Sequence, residues 1–442
     1  MSARARIQGA RHWRTGEAID VVIVRGVIEA VSPAGALPEQ PDEARFDAEG
    51  AVLAPGLVDL HVHLREPGQT AKETIASGTR AAAAGGFTDV ACMPNTNPVL
   101  DEPARIEWVR NRAREAGHCR VHPIAAVTLG QQGEQLAPLL ALREAGAVAF
   151  SEDGRPIMSA EVMRRALEYA LPTGCPIVCH EEDLTLRGRG HMNEGVVSAR
   201  LGLRGIPPAA EVIMVRRDVE LAALTGGRVH LAHLSCAGSF EGLRDARRRG
   251  LAVTGETCPH YWMLTDEAVE GYDTLAKMNP PLRDERDRQA TIAAIVDGTI
   301  DCLATDHAPH TADEKTQPFD QAPFGIVGLE TALALTITGL VRPGHLSLER
   351  ALELWTDAPR RVFGLPRVAV EPGSPADLVL FDPAAEWVIE PARFHTRGRN
   401  TPFAGRTVAG RVIATWLAGH TTHVDPERER RLLGKRSTAG VN

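Results

Sequence analysis

The chain has 442 residues, 43% hydrophobic and 24% charged, a balance that suits a folded core. Its 57 acidic and 49 basic side chains leave a net charge of −8, which argues against a non-specific binder of nucleic acid or of a membrane surface. No apolar run reaches the roughly 18 residues of a membrane span, the first residues lack the apolar stretch of a secretory signal, and the seven cysteines form no CxxC pair, so a reduced, cytoplasmic protein is expected.

Residues 1–54 alternate and turn, first in AIDVVIVRGVIEAVSP and then in ARFDAEGAVLAPG, which predicts short strands of a small sheet. From Gly56 the texture becomes strand, loop, helix, repeated. Strand cores are read in GLVDLHVHL, FTDVACMP, RVHPIAAVT, AVAFSED, PIVCHEE, RVHLAHLS, VTGETCP and CLATDHAP. Helices are read between them in KETIASGTRAAAAG, PARIEWVRNRAREAG, AEVMRRALEYALPTG and AAEVIMVRRDVELAALTGG, several ending in a glycine cap. Eight strands alternating with helices predict an α/β protein whose parallel sheet closes into a (β/α)8, TIM-like barrel. Beyond about residue 365, GSPADLVLFDP, EWVIE and RTVAGRVIATWLAG read as strands again. Two β-rich ends flanking one barrel predict a small composite β-sandwich built from both termini, with separate appendages as the alternative. The expected division is 1–54, 55–364 and 365–442, the last ending in a solvated tail, DPERERRLLGKRSTAGVN.

The first barrel strand carries Asp59, His61 and His63, and residues two apart on a strand face the same way. Both imidazoles should therefore enter the barrel mouth, where they suit a borderline cation such as Zn2+. His180, His233 and Asp306 stand at the ends of three further strands, where barrel enzymes assemble their sites. Chance would scatter these groups over both ends of the barrel. His230, three residues before His233, is read as facing the other way, and His307 and His122 as lying outside the cluster. Arg65 follows His63 at the rim, a bidentate receptor for a carboxylate. A rim salt bridge is the plainer reading of Arg65.

This pattern resembles the amidohydrolase superfamily: an HxH pair, a bridging group on strand four, single histidines on strands five and six, and an aspartate on strand eight. The resemblance covers nearly the whole chain, from PGLVDLHVH to PGSPADLVLFD. Many relatives with two metals bridge them with a carbamylated lysine, but the four lysines (72, 277, 315 and 435) all lie away from AVAFSEDG. Glu152 or Asp153 must then substitute. The type I dihydroorotases look like this, with the second acid bridging, so the resemblance selects Asp153 and leaves Glu152 as the alternative. It implies two Zn2+ ions per chain held by His61, His63, Asp153, His180, His233 and Asp306.

The resemblance further implies reversible hydrolysis of dihydroorotate to N-carbamoyl-L-aspartate in pyrimidine biosynthesis, with a metal-activated water as nucleophile and Asp306 as general acid and base. Substrate contacts are expected from Arg65, Asn95 in MPNT, Asn279 in MNPPLR, His310 in DHAPH, and Phe324 and Gly325 in PFG. CPHY departs from the second histidine that relatives often carry there. The stretch after His310, residues 311–325, is read as a lid, with a mobile surface loop as the alternative. A homo-oligomer is expected, and association with aspartate transcarbamoylase is left open. The competing readings are an allantoinase-like or dihydropyrimidinase-like enzyme, against which Arg65 and the missing lysine argue, and an inactive scaffold subunit, against which the filled ligand positions argue.

Overall fold

The computed structural model of the chain describes residues 4–38, 40, 43–426 and 428. Most of the charged tail therefore lies outside the described residues. The N-terminal segment forms β1 (Arg4–His12), β2 (Ala18–Val24), β3 (Val27–Pro33), β4 (Ala44–Asp47) and β5 (Val52–Pro55). The barrel follows with β6 (Leu57–Val62), β7 (Phe87–Cys92), β8 (Arg120–Ala126), β9 (Ala149–Ser151) and β10 (Ile177–Cys179). A small parallel pair, β11 (Met192–Asn193) and β12 (Gly205–Ile206), sits in the next connection. The barrel is completed by β13 (Val229–Leu231), β14 (Val253–Thr257) and β15 (Cys302–Leu303). Last come β16 (Leu378–Val388), β17 (Thr407–Leu417) and β18 (His420–Val424).

The eight barrel strands lie in chain order, each parallel to the next. A bridge between Val62 and His307, with the His63 N–H donating to the His307 carbonyl at 2.8 Å, brings the last strand against the first. The strands are buried on both faces, which is why they read as apolar runs and not as an alternation. The helices between them carry local start and stop signals. Thr74 and Ser77 form a capping box for Ile75–Ala84, Pro103 opens and left-handed Gly117 ends Pro103–Ala116, and left-handed Gly226 ends Ala209–Thr225.

The two chain ends meet directly. β5 pairs antiparallel with β16, from Pro55 opposite Leu378 to Val52 opposite Phe381. The resulting order β18-β17-β16-β5-β1-β2-β3 joins both termini in one small β unit, and β4 pairs beside β1. LVLFD and EWV form a single strand, because a register shift between Asp382 and Glu386 absorbs the residues between them. Leu53, Leu380, Phe87 and Trp355 are fully buried in one core that runs from this unit into the barrel. Truncating Leu380 to Ala there should cost about 2–5 kcal/mol. Among the described residues no helix is long and apolar enough to cross a membrane, and all seven cysteines are free and buried.

Candidate metal and substrate site

At the C-terminal mouth of the barrel, His61, His63, Asp153, His180, His233 and Asp306 converge on one point. His61 Nε2 lies 3.2 Å from Asp153 Oδ1 and 3.5 Å from Asp306 Oδ1. His63 Nε2 lies 3.2 Å from Asp306 Oδ1 and 3.4 Å from Asp153 Oδ2. His233 Nε2 and His180 Nδ1 approach the same Asp153 Oδ1 at 3.7 and 3.8 Å, and stand 2.9 Å from each other. Asp153 thus touches all four imidazoles. Glu152 turns away and accepts from the Thr128 amide at 2.7 Å and the Thr128 hydroxyl at 2.9 Å.

Backbone strain marks this end of the barrel. Arg65, His233 and Asp306 all take left-handed φ values, 58°, 36° and 48°, and such strain concentrates at functional sites. It also sets how His233 points relative to His230. β13 ends at Leu231 and His233 follows in a bend, so strand alternation does not carry from His230 to His233. His230 is not turned away from the site's supporting network. Its Nε2 is 3.1 Å from Glu256 Oε2, while Glu256 Oε1 is 2.9 Å from His61 Nδ1. His307 does stand apart, beside Glu73 and Thr396, and His122 pairs with Asp89 at 2.9 Å.

The donor set fits a metal. Ligand atoms of His61, His63 and Asp306, and those of His61, Asp153 and His233, each lie within 4.8 Å of one another. His61 Nε2, which faces Asp153 and Asp306, is buried without a hydrogen-bond partner, a costly state that a cation would relieve. Imidazole and carboxylate together suit Zn2+. The electrostatics agree. Burial pushes the Asp306 carboxyl up, but the His63 hydrogen bond and the neighbouring imidazoles outweigh it and hold the group at about 2.

A pocket of about 810 Å3 opens over these groups, lined also by Arg65, Asn95, Arg187, Asn279, His310, Phe324 and Gly325. Arg65 is buried, and its Nε donates to the Pro309 carbonyl at 3.2 Å. The bland alternative, a rim ion pair with Glu66, does not form; Glu66 instead accepts from the Ile75 amide at 2.7 Å. Asn95 is committed within the site: His63 Nδ1 meets its Oδ1 at 2.9 Å, and its Nδ2 donates to Asp153 Oδ2 at 3.2 Å. Asn279 donates to Glu182 at 3.2 Å and leaves its buried Oδ1 free. His310 Nε2 lies 2.8 Å from the Phe324 carbonyl, and the Gly325 amide donates to Lys277 O at 2.9 Å. Burial and the nearby Arg65 lower the His310 pKa to about 3, so its ring is neutral at pH 7. Gly325 must be glycine: its φ is 126°, and a Cβ would meet Ala308 Cβ at 2.8 Å.

A sequence model described as Dihydro-orotase-like matches residues 50–239. A dihydroorotase of Anaeromyxobacter dehalogenans is 53% identical over 395 residues, 89% of this chain and 91% of that one. The dihydroorotase of Desulforapulum autotrophicum is 50% identical over 90% of this chain and 93% of its own length. This chain belongs to the dihydroorotase family. Membership makes it a hydrolase. Among solved structures, the L-hydantoinase of Arthrobacter aurescens superposes with a TM-score of 0.84 at 24% identity, covering 94% of this chain and 95% of that one, which speaks for the shared fold.

Four residues around the site are not singled out by the sequence: Glu256 behind His61, Glu182 beside His180, Arg187 beside Glu182, and Asn400 beneath His310. Glu256 has a signal, since a lone acid inside a buried strand needs a partner. Tyr261, at the departing CPHY, is spent on structure; its hydroxyl donates to Pro280 O at 2.7 Å.

Proposed function

We propose that this chain interconverts dihydroorotate and N-carbamoyl-L-aspartate in pyrimidine biosynthesis, and that it is a zinc enzyme. The observation that carries this reading is the buried Arg65 guanidinium beside the six-residue cluster, a cationic receptor at the right place for a ring that bears a carboxylate. His61, His63, His180, His233 and Asp306 would hold a pair of cations, with Asp153 shared between them. Bound there, a divalent metal supplies Lewis-acid polarisation and lowers the pKa of water to about 7.

The chain's own residues do the rest. Arg65 grips the ring carboxylate and fixes the ring's orientation, so that attack occurs on a positioned carbonyl. The free Oδ1 of Asn279 accepts a ring N–H. His310, neutral, props the Phe324 carbonyl that forms the far wall. Asn95 fixes His63 and Asp153 and reaches the carboxylate only from that held position. Asp306, ionised at neutral pH, takes the proton of the attacking water on its carboxylate and returns it to the departing ring nitrogen. In the closing direction the same group runs the transfer backwards.

Residues 311–325 act as a lid over this pocket, on the reading that Pro323 to Gly325 form part of its wall. The division at 1–54, 55–364 and 365–442 and a cytoplasmic, homo-oligomeric enzyme are part of the same proposal, with partnership to aspartate transcarbamoylase left to experiment. The test is metal content and dihydroorotate hydrolysis on one purified sample, before and after chelation. Bound zinc with chelator-sensitive hydrolysis is expected. Bound metal with no activity on dihydroorotate would overturn the substrate assignment.

A further inference from the structure

The connection between β16 and β17 leaves the small β unit and runs under the substrate pocket. There Asn400 is 2% exposed and commits both its amide hydrogens and its side-chain oxygen to the pocket's supporting loops. Its Nδ2 donates to Ala308 O and Gly325 O, both at 3.0 Å, and its Oδ1 accepts from the His310 amide at 3.1 Å. Its backbone carbonyl accepts from Val327 at 2.9 Å. Ala308, His310 and Gly325 are pocket-lining residues from two separate stretches of chain, and the Asn400 side chain ties both together at these carbonyls and this amide.

The segment is itself fixed. The His395 and Thr396 amides donate to Glu330 at 2.9 and 3.1 Å, and the Arg397 amide to Glu73 at 3.3 Å. Gly398 allows the close approach: a Cβ there would meet Pro309 Cβ at 2.8 Å and Val327 Cγ1 at 2.9 Å. Pro309 is the residue whose carbonyl receives Arg65 Nε. The C-terminal segment therefore sets both the back of the Arg65 subsite and the height of the His310–Phe324 wall.

We propose that Asn400 is a positioning residue for the substrate subsite, so that ring binding depends on a segment contributed by the C-terminal part of the chain. The proposal rests on the reading of the pocket as a dihydroorotate site. Asn400 touches none of the candidate metal ligands, so its loss acts on substrate geometry and not on metal occupancy. Asn400→Ala removes all three side-chain bonds and leaves two buried carbonyls without a donor. Asn400→Asp keeps the acceptor for His310 but turns an oxygen toward those carbonyls. Gly398→Ala removes no hydrogen-bonding group; its Cβ would crowd Asn400 Oδ1 and Pro309 Cβ, both at 2.8 Å, and so displace the segment.

The experiment is steady-state kinetics on dihydroorotate with the metal-loaded protein, alongside metal content and amide exchange at His310 and Val327. All three variants should raise KM, with kcat/KM falling about 10- to 100-fold, as expected for slight misplacement of a bound reactant. Metal per chain should be unchanged, and exchange should quicken at both amides. A fall in kcat at unchanged KM, the mark of fewer folded molecules, would overturn the proposal, as would unaltered kinetics. If Asn400→Ala does not fold, Asn400→Asp and Gly398→Ala still read the same split. Unaltered protein that fails on dihydroorotate would overturn the substrate reading instead, and the two amides would then report whether Asn400 fixes the loops.

Discussion

The imidazole of His61 and the carboxylate of Glu256 meet at 2.9 Å, Nδ1 to Oε1, inside the barrel. Glu256 is fully enclosed. Burial pushes its carboxyl up, but hydrogen bonds from His230 and His61 pull it far below the usual carboxylate range, so it stays ionised. An ionised acceptor at Nδ1 fixes the tautomer that turns the bare Nε2 of His61 toward Asp153 and Asp306. Glu256→Gln keeps the shape but cannot accept from both rings. We expect metal affinity to fall about 10- to 100-fold. Competition against a chromophoric chelator reads it, and unaltered affinity would show that His61 is oriented by packing alone.

Arg65→Met removes the guanidinium and keeps most of the apolar stem. The expected loss is about 2–5 kcal/mol in transition-state binding, chiefly as a raised KM for dihydroorotate, with zinc content unchanged. Wild-type turnover at low substrate would refute the carboxylate clamp.

Removing the metal should abolish activity, and zinc should restore it. Asp153→Asn should do more than weaken one contact, because Asp153 alone reaches all four imidazoles. The expected outcome is metal content reduced by about half with hydrolysis lost. Full metal content and full activity in this variant would demote Asp153 from the bridge.

The segment 311–325 carries a pH signature of its own. Lys315 donates to Thr274 O at 3.0 Å, Lys277 O at 3.2 Å and Pro323 O at 2.8 Å, yet burial lowers its pKa to about 7. In the unfolded chain a lysine titrates at about 10.4. Between these values the unfolded chain binds the extra proton, so this group makes stability rise with pH across that window. Denaturant unfolding at several pH values, for the natural chain and Lys315→Met, should show a shallower rise in the variant. Equal slopes would mean that Lys315 keeps its proton.

Much of the architecture is legible in the residues because it is local. The barrel strands announce themselves as apolar runs, the helix ends by Thr74, Pro103 and Gly226, and the HxH pair by simple alternation. What was not legible depends on contacts distant in sequence. Asn400 binds a loop 90 residues away, and Glu256 meets His61 across 195. His230 is a structural histidine as the sequence suggests, but its direction relative to His233 is not legible, since alternation holds only while the strand lasts and β13 stops at Leu231. EWV looked like a separate strand because the register shift that merges it into β16 leaves no mark in hydrophobicity.

An aspartate and not a modified lysine at the meeting point of the four imidazoles has a consequence for how the protein matures. A lysine carbamate must capture dissolved carbon dioxide after synthesis and loses it again in acid or in degassed buffer. An aspartate leaves the ribosome complete. Reconstitution of this site from apoprotein should therefore need the metal ion and nothing else, and should proceed equally well with or without bicarbonate.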